Sequence, residues 1–204
     1  MSGYTLYWKA NSGSMVIEAA LRMIGVAFEE IEVDDTFAPD FRILNPACKV
    51  PVLRLATGPV LTESAAILLA LDDLFPEDRL LPAHGSAERA KAVQWLIFMS
   101  ANIYPAILRH YYPQRHTAED TSAAIGAVRR SAAHDMDRDF RQLASAIGGP
   151  LLLGDTLTIT DVYAAMLANW YDPAREIPEI GALVNHVLQN EAVAKAWRHH
   201  GFRE

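Results

Sequence analysis

Three short segments in the first third of the chain carry residue types able to do chemistry. The first, Lys9-Ala10-Asn11-Ser12-Gly13-Ser14, is small, polar and glycine-containing, and it leads into a helical pattern. Backbone N–H groups and hydroxyls at such a helix entry can receive an anion, although Ser12 or Ser14 can equally serve as a simple N-cap. The second, Asn45-Pro46-Ala47-Cys48-Lys49-Val50-Pro51, places a proline at the opening of a strand. A cis peptide there frees backbone groups to pair with a ligand; a trans edge-strand proline is the ordinary alternative. Cys48 reads as a reactive thiol or as inert packing, with no neighbouring His or acid to activate it. The third, Leu61-Thr62-Glu63-Ser64-Ala65, again sets a hydroxyl at the start of a helix, as a cap or as an anion donor. His199-His200 near the end reads as a solvated helix terminus, and no His or acid spacing suggests a metal site.

The elements that must position these segments follow from periodicity. Thr5 to Trp8 and Phe28 to Val33 read as strands, the second alternating Phe28, Glu30 and Glu32 against Glu29, Ile31 and Val33. Val52 to Leu55 and Val60-Leu61 flank Ala-Thr-Gly-Pro and read as a hairpin. Between the first two strands, Ser14 to Ile24 is a helical window stopped by Gly25. Glu63 to Phe75 is a second, with an apolar face of Ala65, Ile67, Leu68, Leu71 and Leu74, ended by Pro76. That order implies a parallel strand pair plus an antiparallel hairpin.

Residues 76–86 read as a linker, and almost everything after Ser86 is helical. Ala87 to about His110 forms one long helix that Pro105 kinks or breaks. Thr117 to Ile147 forms another, halted by Gly148-Gly149-Pro150. Thr158-Ile-Thr-Asp161 opens a third with capping-box spacing, and Pro178 and Gly181 bracket shorter helices up to Gly201. The fold class is therefore α+β, an α/β domain over 1–78 followed by an all-α helical bundle over 86–204.

Composition narrows the function. The 204 residues are 51% hydrophobic and 21% charged, an ordinary globular balance. Net charge is −7, and residues 1–80 hold 6 basic against 12 acidic side chains, so a nucleic-acid partner is excluded by the missing basic excess. The single cysteine rules out an internal disulfide and any multi-cysteine zinc site. No basic-then-apolar leader opens the chain, and its longest apolar stretches are too short to cross a bilayer, which reads as a cytoplasmic protein without a membrane partner.

Taken in this order, with an all-helical second half, the segments resemble the glutathione transferase superfamily, as a cytosolic-type, serine-like bacterial member. The resemblance covers the whole chain. It rests on the strand-turn-helix entry, on Val50-Pro51, on Glu63-Ser64 before a helix about a dozen residues on, and on Leu153-Gly154-Asp155 followed by Thr158 and Asp161. It implies a thioredoxin-like first domain that binds glutathione as co-substrate, and a helical domain that shapes the site of the second substrate, a small electrophile. No metal is implied.

Residue by residue, the resemblance implies that Val50 lends backbone N–H and C=O to the cysteinyl part of glutathione, with Pro51 cis. Glu63 faces the γ-glutamyl ammonium, Ser64 takes the γ-glutamyl carboxylate, and Lys49 reaches the glycyl end. Glutathione attacks as thiolate, and a free thiol near pKa 8.5 is mostly protonated at neutral pH. Lowering that by two units takes about 2.7 kcal/mol. A helix N-terminus supplies up to about 2 kcal/mol and a hydroxyl donor about 1.5–3 kcal/mol, so one well-placed hydroxyl suffices. Ser12 is the first choice for that donor, Asn11 the second and Ser14 the third; Tyr7 lies on the strand, too early in the turn. Gly13 falls where the beta-like class has cysteine, and Asn11-Ser12-Gly13 replaces the Ser-Ser-Cys of the zeta-like class.

Acceptor-side candidates are Asn102, Tyr104, Arg109, Tyr111 and Tyr112, with Trp170. Arg109 suits a substrate bearing a carboxylate, or it pairs with an acid while the tyrosines pack. Thr158 and Asp161 are expected to be structural, a buried box that caps its helix. The function implied is conjugation of glutathione to electrophiles, a detoxification chemistry. The alternatives are a zeta-like isomerase or reductive dehalogenase, and a non-catalytic binding module. A homodimer is implied as well, with Arg54, Ala65, Leu68, Asp72 and Arg89 expected on its surface.

Overall fold

The computed structural model describes residues 3–203. Strand β1 (Tyr4–Trp8) pairs along both edges and buries every residue from Thr5 to Trp8. Strand β2 (Phe28–Glu32) runs parallel to β1 from Tyr4 opposite Phe28 to Trp8 opposite Glu32. It is an edge strand, and the alternation expected for it produces no buried face: Ile31 is exposed along with Glu29, Glu30 and Glu32. Exposed charge on an open edge deters pairing with a foreign strand. Strands β3 (Val52–Arg54) and β4 (Val60–Leu61) form the expected antiparallel hairpin, giving the order β2-β1-β3-β4.

Helix α1 (Ser14–Ile24) returns from β1 to β2 with nearly its whole surface buried, and it ends where expected. Gly25 sits at φ 77°, and its N–H reaches back to the Leu21 and Arg22 carbonyls, a left-handed stop that a side chain would strain. A short α2 (Pro39–Leu44) precedes β3, and α3 (Ser64–Leu74) follows β4. In the stretch 76–86, Leu80 and Leu81 are buried and donate their N–H groups to Asp72 Oδ1 at 2.8 and 2.9 Å, so this linker is tethered rather than loose. Asp72 is thereby committed to the interior, as are Ala65 and Leu68, which corrects the expectation that these three present a surface to a partner.

The remaining helices are α4 (Ala87–Phe98), a π-helical turn over Met99–Ile103, α5 (Tyr104–Tyr111), α6 (Ser122–Ala144), α7 (Ile159–Asn169), α8 (Asp172–Arg175), α9 (Pro178–Val187) and α10 (Glu191–His199). Pro105 lies in the first turn of α5, where its missing N–H is tolerated, and the π turn just before it absorbs the disruption. Helix α6 starts later than its periodicity suggested because Thr121 caps it, accepting the Ala124 N–H at 3.2 Å. Gly181 does not bracket a helix but lies inside α9, where a Cβ would stand 2.8 Å from the Arg175 carbonyl oxygen.

The chain divides into two units, one running to His84 and resuming at Val187, the other spanning Gly85–His186. The expected boundary of the helical domain is therefore corrected at its far end. Val193, Ala196 and Trp197 of α10 are buried, and α10 packs along α1, so the last helix joins the sheet-containing unit. In the helical unit, α7 is buried along its entire length. Among the described residues, no helix is long and apolar enough to cross a membrane.

Candidate functional site

The sheet register gathers the three sequence segments at one end. Tyr7 of β1 pairs with Val52 at the start of β3, and Leu53 pairs with Leu61 at the end of β4. The turn after β1, the loop before β3 and the loop after β4 consequently leave the same end of the sheet. Each loop also contains one non-glycine residue at positive φ: Asn11 at 49°, Cys48 at 55° and Glu63 at 65°. Among the described residues these three are the full set. Such backbone is uncommon outside glycine and concentrates where a ligand must be met.

In the first loop, Ser12 is half-buried and its hydroxyl donates to the Lys9 carbonyl at 2.6 Å. Its oxygen accepts the Ser14 N–H at 3.2 Å and lies 3.0 Å from the Ser14 hydroxyl. Ser14 is completely buried and hydrogen-bonded to Ser12, which does not suit the role of third donor expected for it. Gly13 occupies the cap position of α1 and no side chain caps the helix there. Asn11 is exposed, and its N–H is bound by the His200 carbonyl at 2.9 Å. Tyr7 belongs to the core with Val33, Phe41 and Val52.

In the second loop the Val50–Pro51 peptide is cis. Asn45, which the sequence reading passed over, organises the approach to it. Its Oδ1 accepts the Ala47 N–H at 3.0 Å and its Nδ2 donates to the Lys49 carbonyl at 2.7 Å, while the side chain stays buried. The Asn-Pro dipeptide was the available signal, since Asn wires its own following turn. Lys49 is exposed and Val50 half-buried against the Tyr7 core. In the third loop Glu63 is exposed, and Ser64 is the buried first residue of α3.

Beside the turn lies a polar cluster that corrects half of the reading of His199-His200 as a solvated helix end: His199 is exposed, but the His200 ring is completely buried. Glu18 is completely buried in α1, and its Oε2 accepts from His199 Nδ1 at 2.8 Å and His200 Nε2 at 2.9 Å. Its Oε1 accepts from Arg22 Nε at 2.6 Å. Burial opposes ionisation of this carboxyl, but the hydrogen bonds from His200, His199 and Arg22 outweigh it and hold the pKa at about 2. Glu30, also near Arg22 and His199, is pushed up by its burial and by the Glu18 charge. Two imidazoles and a carboxylate are also the donors of a metal centre, but the Arg22 guanidinium already supplies the positive charge here. The Glu18–Arg22 spacing of four was legible in the sequence; its pairing with residues 181 and 182 positions later was not.

In the helical unit Tyr104 and Tyr111 of the acceptor-side candidates meet at Trp170, while Asn102, Arg109 and Tyr112 have other partners. Asn102 is exposed and donates to the Phe98 carbonyl at 3.0 Å, and Tyr104 stacks obliquely on Trp170 at 5.3 Å. Tyr111 donates to the Trp170 carbonyl at 2.6 Å. Arg109 forms an ion pair with Asp135 at 3.0 Å, the packing role rather than the ligand role. Tyr112 is exposed beneath the Arg115 guanidinium, 4.4 Å away. None of these lines the cavity of about 320 Å³ around Asp137, Arg141 and Tyr171. Tyr171 donates to Asp137 at 2.7 Å, and burial followed by that acid pushes its hydroxyl up to about 12. Asp161 meets its structural expectation: it accepts the Thr158 N–H and hydroxyl at 2.8 and 2.7 Å and the Leu152 N–H at 2.7 Å.

Comparison with known proteins agrees with this architecture. Residues 14–74 match the N-terminal domain family of glutathione S-transferases. The chain is 27% identical to the uncharacterized GST-like protein YncG of Escherichia coli K12, over 81% of this chain and 80% of that one. Its fold superimposes on the bacterial GST BphK, solved as a ternary complex, with a TM-score of 0.81 and 30% identity over 97% of this chain and 100% of the other. A sphingomonad glutathione S-transferase solved with glutathione gives 0.81 at 28% identity, over 98% and 100% of the two chains. The chain belongs to the glutathione transferase superfamily, with a thioredoxin-like unit and a helical unit.

Proposed function

We propose that the protein is a glutathione transferase that conjugates the glutathione thiolate to small electrophilic molecules. The observation that carries this reading is the convergence of three loops at one end of the sheet, each with a single left-handed non-glycine residue. Val50 presents its backbone to the cysteinyl part, Ser64 and Glu63 hold the γ-glutamyl end, and Lys49 meets the glycyl carboxylate. The thiolate rests at the entry of α1, and the Ser12 hydroxyl turns from the Lys9 carbonyl to donate to sulfur, with Asn11 as second donor. Sulfur then attacks the electrophilic carbon, the new C–S bond forms and the leaving group departs with the electron pair. Asn102, Tyr104 and Tyr112 serve the acceptor, and the protein acts as a cytoplasmic homodimer in detoxification.

Thermal unfolding with reduced glutathione, and with S-methylglutathione as a thiol-free control, tests the site. Ligand at 100 times its dissociation constant adds about 2.7 kcal/mol and moves the midpoint by several degrees. A shift with both ligands supports the tripeptide site; no shift at saturation overturns it. Ser12→Ala then lowers kcat toward an activated aryl halide at neutral pH by about 10–10²-fold, the fall in the thiolate-to-thiol ratio when a donor worth about 1.5–3 kcal/mol is lost. One observation favours a second reading, binding without turnover: the Ser12 hydroxyl is already engaged by Lys9. Under that reading the midpoint shifts but no electrophile is consumed.

A further inference from the structure

The cluster around Glu18 plays no part in the proposed chemistry, yet it touches the turn that carries that chemistry. Glu18 lies on α1, one helical turn beyond Ser14, with no exposed surface. A buried carboxylate needs every oxygen satisfied, and an apolar side chain could fill that space without this demand. The partners recruited are informative. Two of the three come from the end of α10, and Trp8, the last residue of β1, lies with its ring 4.4 Å from His199 and 4.9 Å from His200. The His200 ring is completely buried and uses only Nε2, toward Glu18; its Nδ1 is buried with no hydrogen-bond partner. The same residue's carbonyl accepts the N–H of Asn11, the strained residue of the turn.

We infer that Glu18 and His200 are positioning residues for the Asn11–Ser12 turn: the carboxylate fixes the His200 ring, and the His200 carbonyl fixes the Asn11 N–H. The inference rests on reading that turn as the thiolate's site. The left-handed Asn11 conformation is held by a bond to a distant part of the chain, and that bond is only as firm as the ring behind it. Donors fixed in advance stabilise an anion better than donors that must reorganise. Arg22, Glu30 and His199 also face Glu18 and complete its charge environment.

The test is the ionisation of the bound glutathione thiol, read by thiolate absorbance across a pH series. Affinity for S-methylglutathione is measured alongside. In the wild-type protein the bound thiol ionises below the value of about 8.5 for a free thiol. In Glu18→Gln it moves back toward that value by about one unit, a tenfold fall in the thiolate-to-thiol ratio, while affinity for S-methylglutathione is kept. His200→Ala repeats the shift. His200→Gln, which keeps an N–H donor for Glu18, restores much of the wild-type ionisation. Unchanged ionisation in Glu18→Gln, with only a lower Tm, makes the cluster structural and overturns the inference. If Glu18→Gln does not fold, the His200 pair decides, and wild-type ionisation in both variants overturns it. If the wild-type protein itself does not lower the thiol's pKa, the reading of the turn falls, and that failure shows without any variant.

Discussion

Each unit contains a completely buried carboxylate at a helix, Glu18 in the sheet-containing unit and Asp161 in the helical one. They solve the same problem with partners from different distances along the chain. Asp161 takes all three of its donors from within nine residues, Thr158 twice and Leu152 once. Glu18 takes one from four residues away and two from the far end of the protein. Local donors close a helix end; distant donors tie the end of α10 to the turn before α1.

Removing Glu18 has the largest expected effect on stability. Glu18→Ala strips one partner from a buried charged network and costs about 3–5 kcal/mol in urea unfolding. Asp161→Ala orphans three buried donors and costs about 2–4 kcal/mol. It leaves the glutathione-induced shift in midpoint unchanged, because the cap is remote in sequence and role from the anion site. Loss of that ligand response in Asp161→Ala would move the cap into the anion site and erase the contrast between the two carboxylates.

Acid titration separates the pair by sign. The Glu18 carboxyl is held at about 2, below the ordinary 4.5, so its stabilisation is fully present above the ordinary value and is lost as pH falls toward 2. Burial pushes the Asp161 carboxyl above 3.8, so its contribution favours folding at low pH and is lost as pH rises through its raised value. Glu18→Gln therefore flattens the acid limb of the stability profile and Asp161→Asn steepens it, as unfolding midpoints between pH 2 and pH 5 will show. The smallest effect is that of Thr158→Ala, about 1 kcal/mol, with turnover per folded molecule unchanged. Normal stability with lost turnover would move Thr158 into the site.

What was legible in the sequence follows the same division. Helix α1 and its Gly25 stop, the β3–β4 hairpin, the α3 start and the Thr158–Asp161 box all depend on interactions spanning a few residues, and residue pattern predicts each of them. The errors lie where distant chain decides. Ile31 is exposed on the edge strand β2, and Asp72 is buried because the linker folds back to donate the Leu80 and Leu81 N–H groups to it. His200 is buried on Glu18, 182 positions back in the chain, whereas the Arg109–Asp135 pair is one of the two roles the sequence allowed.

The sequence by itself determined the order of strands and helices, the three loops bearing polar and proline residues, and the family they resemble, since residue type and short spacing govern each. Only the tertiary structure decided that those loops share one end of the sheet, that residues from Val187 onward rejoin the first unit, and that a buried Glu18 holds the chain end against the turn. The reason is physical. Backbone propensity and capping act over one or two helical turns, whereas the partner of a buried charge is chosen by packing, which brings together residues at any separation.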